Sequence, residues 1–393
     1  MKLSIGFTGD IAFSEYTKNL YKTPEKIDKK IYEFFKNNDY NVLNFESPVT
    51  ESNLTKKAAL THKSNLGALE FIKKEIKKPI LSLANNHMMD FGPKGLLDTL
   101  KYVEKANLPF IGAGKNEDEA TKYLILGDDV KVGIFSVQYK DYYVASKDKP
   151  GPAHNKHFEI VKQKIKELRS KVDWIVMVYH GGEEFVNVPM PYTRKLYKKF
   201  LKWGVDVVVA HHPHTVQGYE KVKNKMIFYS LGNFVFDTNF QRAQYGTDEG
   251  MLISLEFTKT DYKFKNLPIK INREAGTIDS KNKSLYFKDI STNYNKLWKI
   301  SARKLYKINS NKKELKKYRN QFSISNLYIE KANIEKVVPF DELIKDNYIK
   351  ELDTIPKVKA KNKVVRKFNR VSNKLKTANY KKYFYMKWAK IFK

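Results

Sequence analysis

The 393 residues contain no cysteine. A disulfide framework, a thiolate metal site and a cysteine nucleophile are therefore excluded. No apolar run reaches transmembrane length, and no leader pattern precedes the first apolar segment, Lys2-Leu3-Ser4-Ile5-Gly6-Phe7. The expectation is a cytoplasmic protein, attached at most peripherally to the inner membrane face. Several catalytic signatures are also missing. There is no Gly-x-x-x-x-Gly-Lys phosphate loop, no Gly-x-Gly-x-x-Gly fingerprint, no Gly-x-Ser-x-Gly elbow and no His-Glu-x-x-His. Finally, no Asp or Glu occurs from Lys357 onward.

Positive charge is abundant instead. Lys and Arg total 74 against 43 Asp and Glu, a formal net charge of +31. Such a charge favours anionic partners: an acidic polymer, a phosphorylated substrate or an anionic membrane surface. Compositional drift toward Lys is the alternative source, but drift does not explain the concentration at the C-terminus. There, Val364, Phe368, Val371 and Leu375, then Tyr380, Phe384, Trp388 and Ile391, interleave with Lys and Arg at spacings of three and four. That pattern predicts basic amphipathic helices over 357–393, suited to peripheral membrane contact. Nucleic-acid binding rests on charge alone, since no recognition motif accompanies it.

Hydrophobic residues make up 41% and aromatics 13%, enough for a sizeable core. Up to about residue 257, apolar runs alternate with charged amphipathic segments, which indicates an α/β class with a largely parallel sheet. Strands are expected over 3–8, 42–45, 80–83, 110–111, 123–126, 132–136, 174–179, 205–210, 226–231 and 250–257. Helices are expected over 24–37, 67–74, 92–105, 157–171 and 193–203. The expected domains are 1–276 (α/β), 277–356 (a helical region, with Leu297, Ile300, Leu305 and Ile308 as candidate buried positions) and 357–393 (the basic tail).

Five motifs place metal-friendly side chains where strands end: Thr8-Gly9-Asp10, Asn44-Phe45-Glu46, Asn85-Asn86-His87, Tyr179-His180-Gly181-Gly182 and His211-His212-Pro213-His214. In open α/β sheets the crevice beyond the strand C-termini binds ligands, so scattered residues converge there. Asp10 follows a glycine that lets the backbone turn sharply; an ordinary turn is the alternative. Glu46 is either a carboxylate bridging two metals or an exposed strand-end acid. Asn86 offers a carbonyl oxygen, and His87 can protonate a leaving group with Asp90 fixing its tautomer; a helix N-cap at Asn85 or Asn86 is the alternative. His180 is metal-facing or structural. The histidine-rich run is the most specific element, because packing does not call for three imidazoles in four residues. Pro213 favours an extended His212, which would turn His212 and His214 to one side. Gly232-Asn233 reads as a turn, or Asn233 braces the histidine loop.

Together these residues resemble the bacterial capsule-synthesis CapA (poly-γ-glutamate biosynthesis) family. The resemblance is carried by Ala84-Asn85-Asn86-His87 with Asp90-Phe91-Gly92, and by Gly9-Asp10, Asn44-Phe45-Glu46, His180-Gly181-Gly182-Glu183-Glu184-Phe185, His211-His212-Pro213-His214 and Tyr229-Ser230-Leu231-Gly232-Asn233-Phe234. It implies a calcineurin-like metallophosphatase fold, a four-layer α/β/β/α sandwich, here with a basic helical C-terminal extension. It also implies two divalent metal ions (Mn, Fe or Zn) held by Asp10, Glu46, Asn86, His180, His212 and His214. His87, with Asp90, would be the catalytic acid, and Asn85, Glu184, His211 and Asn233 would support the ligands or face substrate. The sequence departs from the pattern in four places. Ala12 replaces the imidazole of the usual Asp-x-His, Glu46 replaces an Asp, Ala210 a Gly and Gly181 a Trp.

Two functional readings follow. One is a metallophosphoesterase-like hydrolase of capsule, exopolysaccharide or poly-γ-glutamate biosynthesis, acting on an anionic polymer or a phosphorylated intermediate. The other is a non-catalytic polymer-binding or assembly subunit, working with other capsule-synthesis proteins at the membrane surface.

Overall fold

The computed structural model describes residues 1–53, 55, 61–139, 143–244, 246–284 and 287–298. The expected basic tail, and the 277–356 region beyond residue 298, lie outside the described residues, as do Ile300, Leu305 and Ile308.

The strands run β1 (Leu3–Ile11), β2 (Tyr40–Phe45), β3 (Pro79–Ser82), β4 (Phe110–Ile111), β5 (Ala113–Gly114), β6 (Leu124–Leu126), β7 (Val132–Gln138), β8 (Gly151–Pro152), β9 (Trp174–His180), β10 (Val207–His211), β11 (Tyr219–Val222), β12 (Lys225–Phe228), β13 (Asn233–Val235), β14 (Glu249–Phe257), β15 (Tyr262–Asn272) and β16 (Thr277–Ser280). The α-helices are α1 (Lys29–Asn37), α2 (Leu66–Glu75), α3 (Gly92–Lys105), α4 (Glu117–Ala120), α5 (Phe158–Arg169), α6 (Pro191–Trp203) and α7 (Asn239–Arg242). An eight-stranded sheet has the order β16-β15-β14-β1-β2-β3-β4, with β13 also paired to β1. A six-stranded sheet has the order β11-β12-β10-β9-β7-β6. The central pairs β1–β2, β2–β3, β7–β9, β9–β10 and β10–β12 are parallel.

Alternation along each central strand explains the layering. In the eight-stranded sheet Ile5, Phe7, Val42 and Ile80 face the second sheet, packing in one core with Ile134, Val176 and Val208. Their neighbours Leu43, Phe45 and Leu81 face outward, onto Ile31 and Phe35 of α1, Leu69 and Ile72 of α2, and Leu96, Leu100 and Val103 of α3. On the far side, Val161, Ile165 and Leu168 of α5 and Phe200 and Leu201 of α6 cover the six-stranded sheet. With both faces of each sheet covered, the strands read as near-continuous apolar runs. The result is the α/β/β/α sandwich that the resemblance implied.

Local signals fix the helix starts. Asp28 and Asn65 accept hydrogen bonds from the Lys30 and Ala68 amides and so cap α1 and α2. Pro93 sits in the first turn of α3. The packed domain continues past residue 276. β16 pairs with β15, and Ile290, Tyr294, Leu297 and Trp298 join the inter-sheet core. The Tyr294 hydroxyl donates to the Pro189 carbonyl at 2.9 Å, and the Arg194 guanidinium lies 4.2 Å over its ring. Arg194 also makes two hydrogen bonds to the buried Glu220, at 2.7 and 2.8 Å.

Candidate metal centre

The parallel strands of both sheets deliver their C-terminal ends to one rim. Asp10 lies near the end of β1, Glu46 directly follows β2, and Asn85, Asn86 and His87 follow β3. From the second sheet, His180 and His211 close β9 and β10 as register partners, and His212 and His214 come next. Asp10, Glu46, His180, His211, His212 and His214 are all buried.

Two groups of three donors could each hold a metal ion: Glu46, His212 and His214, and Asp10, Glu46 and His180. Glu46 belongs to both. Its two carboxylate oxygens are fully buried and accept no hydrogen bond. The imidazole nitrogens around Glu46 Oε1 stand at 3.2 Å (His180 Nε2), 3.8 Å (His214 Nε2) and 4.0 Å (His87 Nε2). Donor atoms bound ~2.0–2.2 Å from a shared ion stand about 3–4 Å apart, so these separations suit ligands better than hydrogen-bond partners. An orphaned buried carboxylate among imidazoles is the environment a divalent cation satisfies, and the residues present fit such a cation. Asn86 Oδ1, 2.7 Å from His180 Nε2, adds a further oxygen donor.

The protonation states carry the same tension. Burial pushes the Glu46 carboxyl well above its ordinary value, and the Asp10 charge pushes it further; Glu184 and Asp90 act in the same direction. Burial also acts on Asp10, but the hydrogen bond and charge of His214, with His211 and His180, hold Asp10 below its usual range. Burial would lower His214, yet Glu46 and Asp10 outweigh it and raise the imidazole to about 9. A cation bound at His214 Nε2 would therefore displace a proton.

A shell of bonds orients these groups. His214 Nδ1 lies 3.0 Å from both Asn233 Oδ1 and Asp10 Oδ2, which turns Nε2 toward Glu46. Asn233 is itself fixed by donating to the Thr247 carbonyl at 2.8 Å. His211 Nε2 donates to the Thr8 carbonyl at 2.8 Å, tying β10 to β1 across the two sheets. The Asn85 side chain donates to the Phe45 carbonyl at 2.8 Å and accepts from the His87 amide at 3.1 Å. Asp90 Oδ2 accepts from His87 Nδ1 at 2.8 Å, leaving His87 Nε2 aimed at Glu46. Glu184 Oε1 is 3.5 Å from His212 Nε2, and its side chain is 19% exposed. All twelve residues singled out from the sequence thus lie in or around one centre.

Several local expectations change. His212 is not extended: its φ is +97°, and that of His214 is +55°. The loop brings both rings to the centre through left-handed backbone, a strained state for non-glycine residues that is common at functional sites. Gly9 does not turn the chain, because β1 runs on to Ile11. A side chain there would meet the Gly232 carbonyl oxygen at 2.4 Å, so close approach demands the glycine. Asn85 and Asn86 do not cap α3, whose N-cap position is Phe91. Asn233 is no turn residue; it opens β13, in register with Asp10.

The sequence reading also missed three contributors. Asn44 Nδ2 donates to Asp10 Oδ1 at 2.8 Å and lies 3.3 Å from His180 Nδ1. The His62 ring packs 4.3 Å from that of His87, and its amide donates to Asp90 Oδ2 at 2.7 Å. Phe236 closes the wall, edge-on to both His62 and His214 at 4.8 and 4.9 Å. Asn44 was legible as the first residue of the Asn44-Phe45-Glu46 motif; His62 carries no local signal.

The fold is an α/β/β/α sandwich whose two sheets gather two candidate groups of metal-holding side chains at their shared strand rim. The chain belongs to the family described as bacterial capsule synthesis protein PGA_cap, whose model matches residues 4–238. It is 34% identical over 256 residues to "Capsule biosynthesis protein CapA" of Bacillus anthracis, covering 62% of this chain and 62% of that protein. It is 31% identical over 320 residues to "PGA biosynthesis protein CapA" of Bacillus subtilis (strain 168), covering 77% and 81%. The chain thus spans less than two thirds of the first relative's length. Among solved structures, a 5'-nucleotidase from Candida albicans aligns with a TM-score of 0.40 and 10% identity, over 70% of this chain and 52% of that one. Among the described residues, no helix is long and apolar enough to cross a membrane.

Proposed function

We propose that the chain is a two-cation hydrolase of capsule or poly-γ-glutamate biosynthesis, acting on an anionic polymer or a phosphorylated intermediate. The observation that carries this reading is the shared buried Glu46, common to both donor triads and faced by a His87 already held by Asp90. Asp10, Glu46, Asn86, His180, His212 and His214 would hold the cations, with Mn, Fe or Zn suited to this mixed oxygen and imidazole set. Such cations, when bound, supply Lewis acidity toward a phosphoryl or carbonyl oxygen and make a coordinated water more acidic.

The chain's own residues supply the rest. Asp90 fixes the His87 tautomer with the proton on Nδ1 in the neutral ring. When the ring is doubly protonated, His87 Nε2 is the atom that delivers a proton to a leaving group. Asn233 and Asn44 orient His214 and Asp10, and His62 packs against the His87 ring with Phe236 behind it.

A second reading, a non-catalytic polymer-binding or assembly subunit, is favoured by one feature: Ala12, buried at the end of β1, stands where an imidazole donor is expected. The partners would be an anionic polymer or a phosphorylated substrate, with other capsule-synthesis proteins. The basic 357–393 segment would hold the protein at the cytoplasmic face of the membrane.

The test is metal analysis of purified full-length protein, followed by turnover on activated phosphodiester and poly-glutamate substrates. His87→Ala should keep the metal and lose ~10²–10⁴-fold in rate. Metal-replete wild type inert on both substrate classes would favour the assembly reading.

A further inference from the structure

We propose that Glu184 is a metal ligand, closing the coordination of the cation held by Glu46, His212 and His214 from the open side of the centre. The inference rests on the two-cation reading above and adds a donor to it.

Two adjacent acids follow the strand-end histidine, and the fold separates them. Glu183 is buried and accepts from the Thr193 hydroxyl at 3.0 and 3.2 Å, turned into α6. Glu184 turns the other way and places Oε1 3.5 Å from His212 Nε2. Two atoms bound ~2.1 Å from one ion at a tetrahedral angle are separated by about 3.4 Å. The pair is thus spaced as neighbouring ligands on a common ion; Glu184 stands outside both groups of mutually close donors, so a turn of its side chain toward Glu46 and His214 would complete the set.

The loop that presents Glu184 is fixed to the histidine loop. The next residue, Phe185, donates its amide to the Pro213 carbonyl at 2.8 Å. Its ring stacks on His214 at 5.8 Å, and its φ is +60°, a strained value for phenylalanine. Glu46 supplies the second, independent indication of a cation, since both of its buried oxygens lack a hydrogen-bond donor. Glu184 is partly exposed whereas Asp10 and Glu46 are fully buried, so it would be the ligand on the solvent side of the centre.

Full-length protein, stripped of metal and checked for folding by circular dichroism, is titrated with Mn²⁺ by calorimetry. Bound metal is counted after gel filtration, and Co²⁺ absorption is recorded as a coordination probe. Glu184→Gln should weaken one of two Mn²⁺ sites by ~10–100-fold or more and change the Co²⁺ spectrum, while Glu184→Asp keeps part of the affinity. Two sites of wild-type affinity and an unaltered Co²⁺ spectrum in Glu184→Gln would overturn the assignment of Glu184 alone. Wild type that binds no Mn²⁺ would instead remove the proposed centre, and this ligand with it.

Discussion

Replacing Glu46 by glutamine should have opposite consequences with and without metal. In metal-free protein at neutral pH, Glu46 is a buried acid with two unsatisfied oxygens and several like charges around it. Each orphaned buried polar group costs ~1–3 kcal/mol. A neutral isostere loses the attraction of the His214 imidazolium but is relieved of burial as a charge and of the repulsion from Asp10, Glu184 and Asp90, which together outweigh it, so Glu46→Gln should leave the metal-free protein as stable as wild type, or more stable by ~1–3 kcal/mol. With Mn²⁺ or Zn²⁺ the order reverses. A cation at 100 times its Kd stabilises the native state by ~2.7 kcal/mol. For a chain of this size that amounts to roughly 3 °C in Tm for each cation. Wild type should show this shift, whereas Glu46→Gln, which weakens a donor common to both triads, should show little of it. Differential scanning calorimetry of both proteins in chelator and in excess metal measures all four values. The reasoning fails if the variant gains as much from metal as wild type does. It fails equally if the metal-free variant loses ~3–5 kcal/mol, the cost of breaking a satisfied buried ion pair.

Three further outcomes are expected. Gly250→Ala would place a Cβ 1.8 Å from the Asn233 carbonyl oxygen; it should cost ~1–3 kcal/mol and weaken metal uptake through the Asn233–His214 brace, as read by urea melts and metal titration. Glu220→Ala leaves Arg194, Lys198 and Tyr229 without their shared buried acceptor and should lower urea stability by ~3–5 kcal/mol while metal content is unchanged. His154 is held to about 4 by burial, only partly offset by the Tyr139 carbonyl to which its Nε2 donates. Above its unfolded value near 6.5 both states are neutral and the ring adds no pH dependence. As pH falls from there toward 4 the unfolded chain takes up a proton that the folded ring does not, so stability is lost in that window. The loss is about 2 kcal/mol after allowance for partial contact with water. His154→Gln should remove that part of the acid loss in urea melts at pH 7 and pH 4.

Much of the fold was legible because the central strands are covered on both faces. Runs such as Val207–His211 and Trp174–His180 are continuously apolar up to their polar ends, so the sequence marks both the strand and the point where its chemistry begins. β13 was not legible. It spans three residues, Asn233–Val235, and it exists because β1 offers it a parallel edge, which no local pattern announces. The backbone of the histidine loop was misread for a related reason. Pro213 favours an extended His212 locally, but the Phe185 amide holds the Pro213 carbonyl and the rings must meet Glu46, so tertiary contacts impose a positive φ. His62 meets His87 by ring contact and through the Asp90 carboxylate, which lies 28 residues away from it in sequence.

The donors of the centre are divided between the two sheets. Asp10, Glu46 and Asn86 ride on one, and His180, His212 and His214 on the other. The first of these sheets is itself unfinished until β14, from residues 249–257, pairs with β1. A half-assembled chain therefore owns only half of a chelate, and long-range pairings of this kind form slowly. Under the two-cation reading proposed above, capture of a cation would be a late checkpoint in refolding, passed only by molecules whose two halves have already docked.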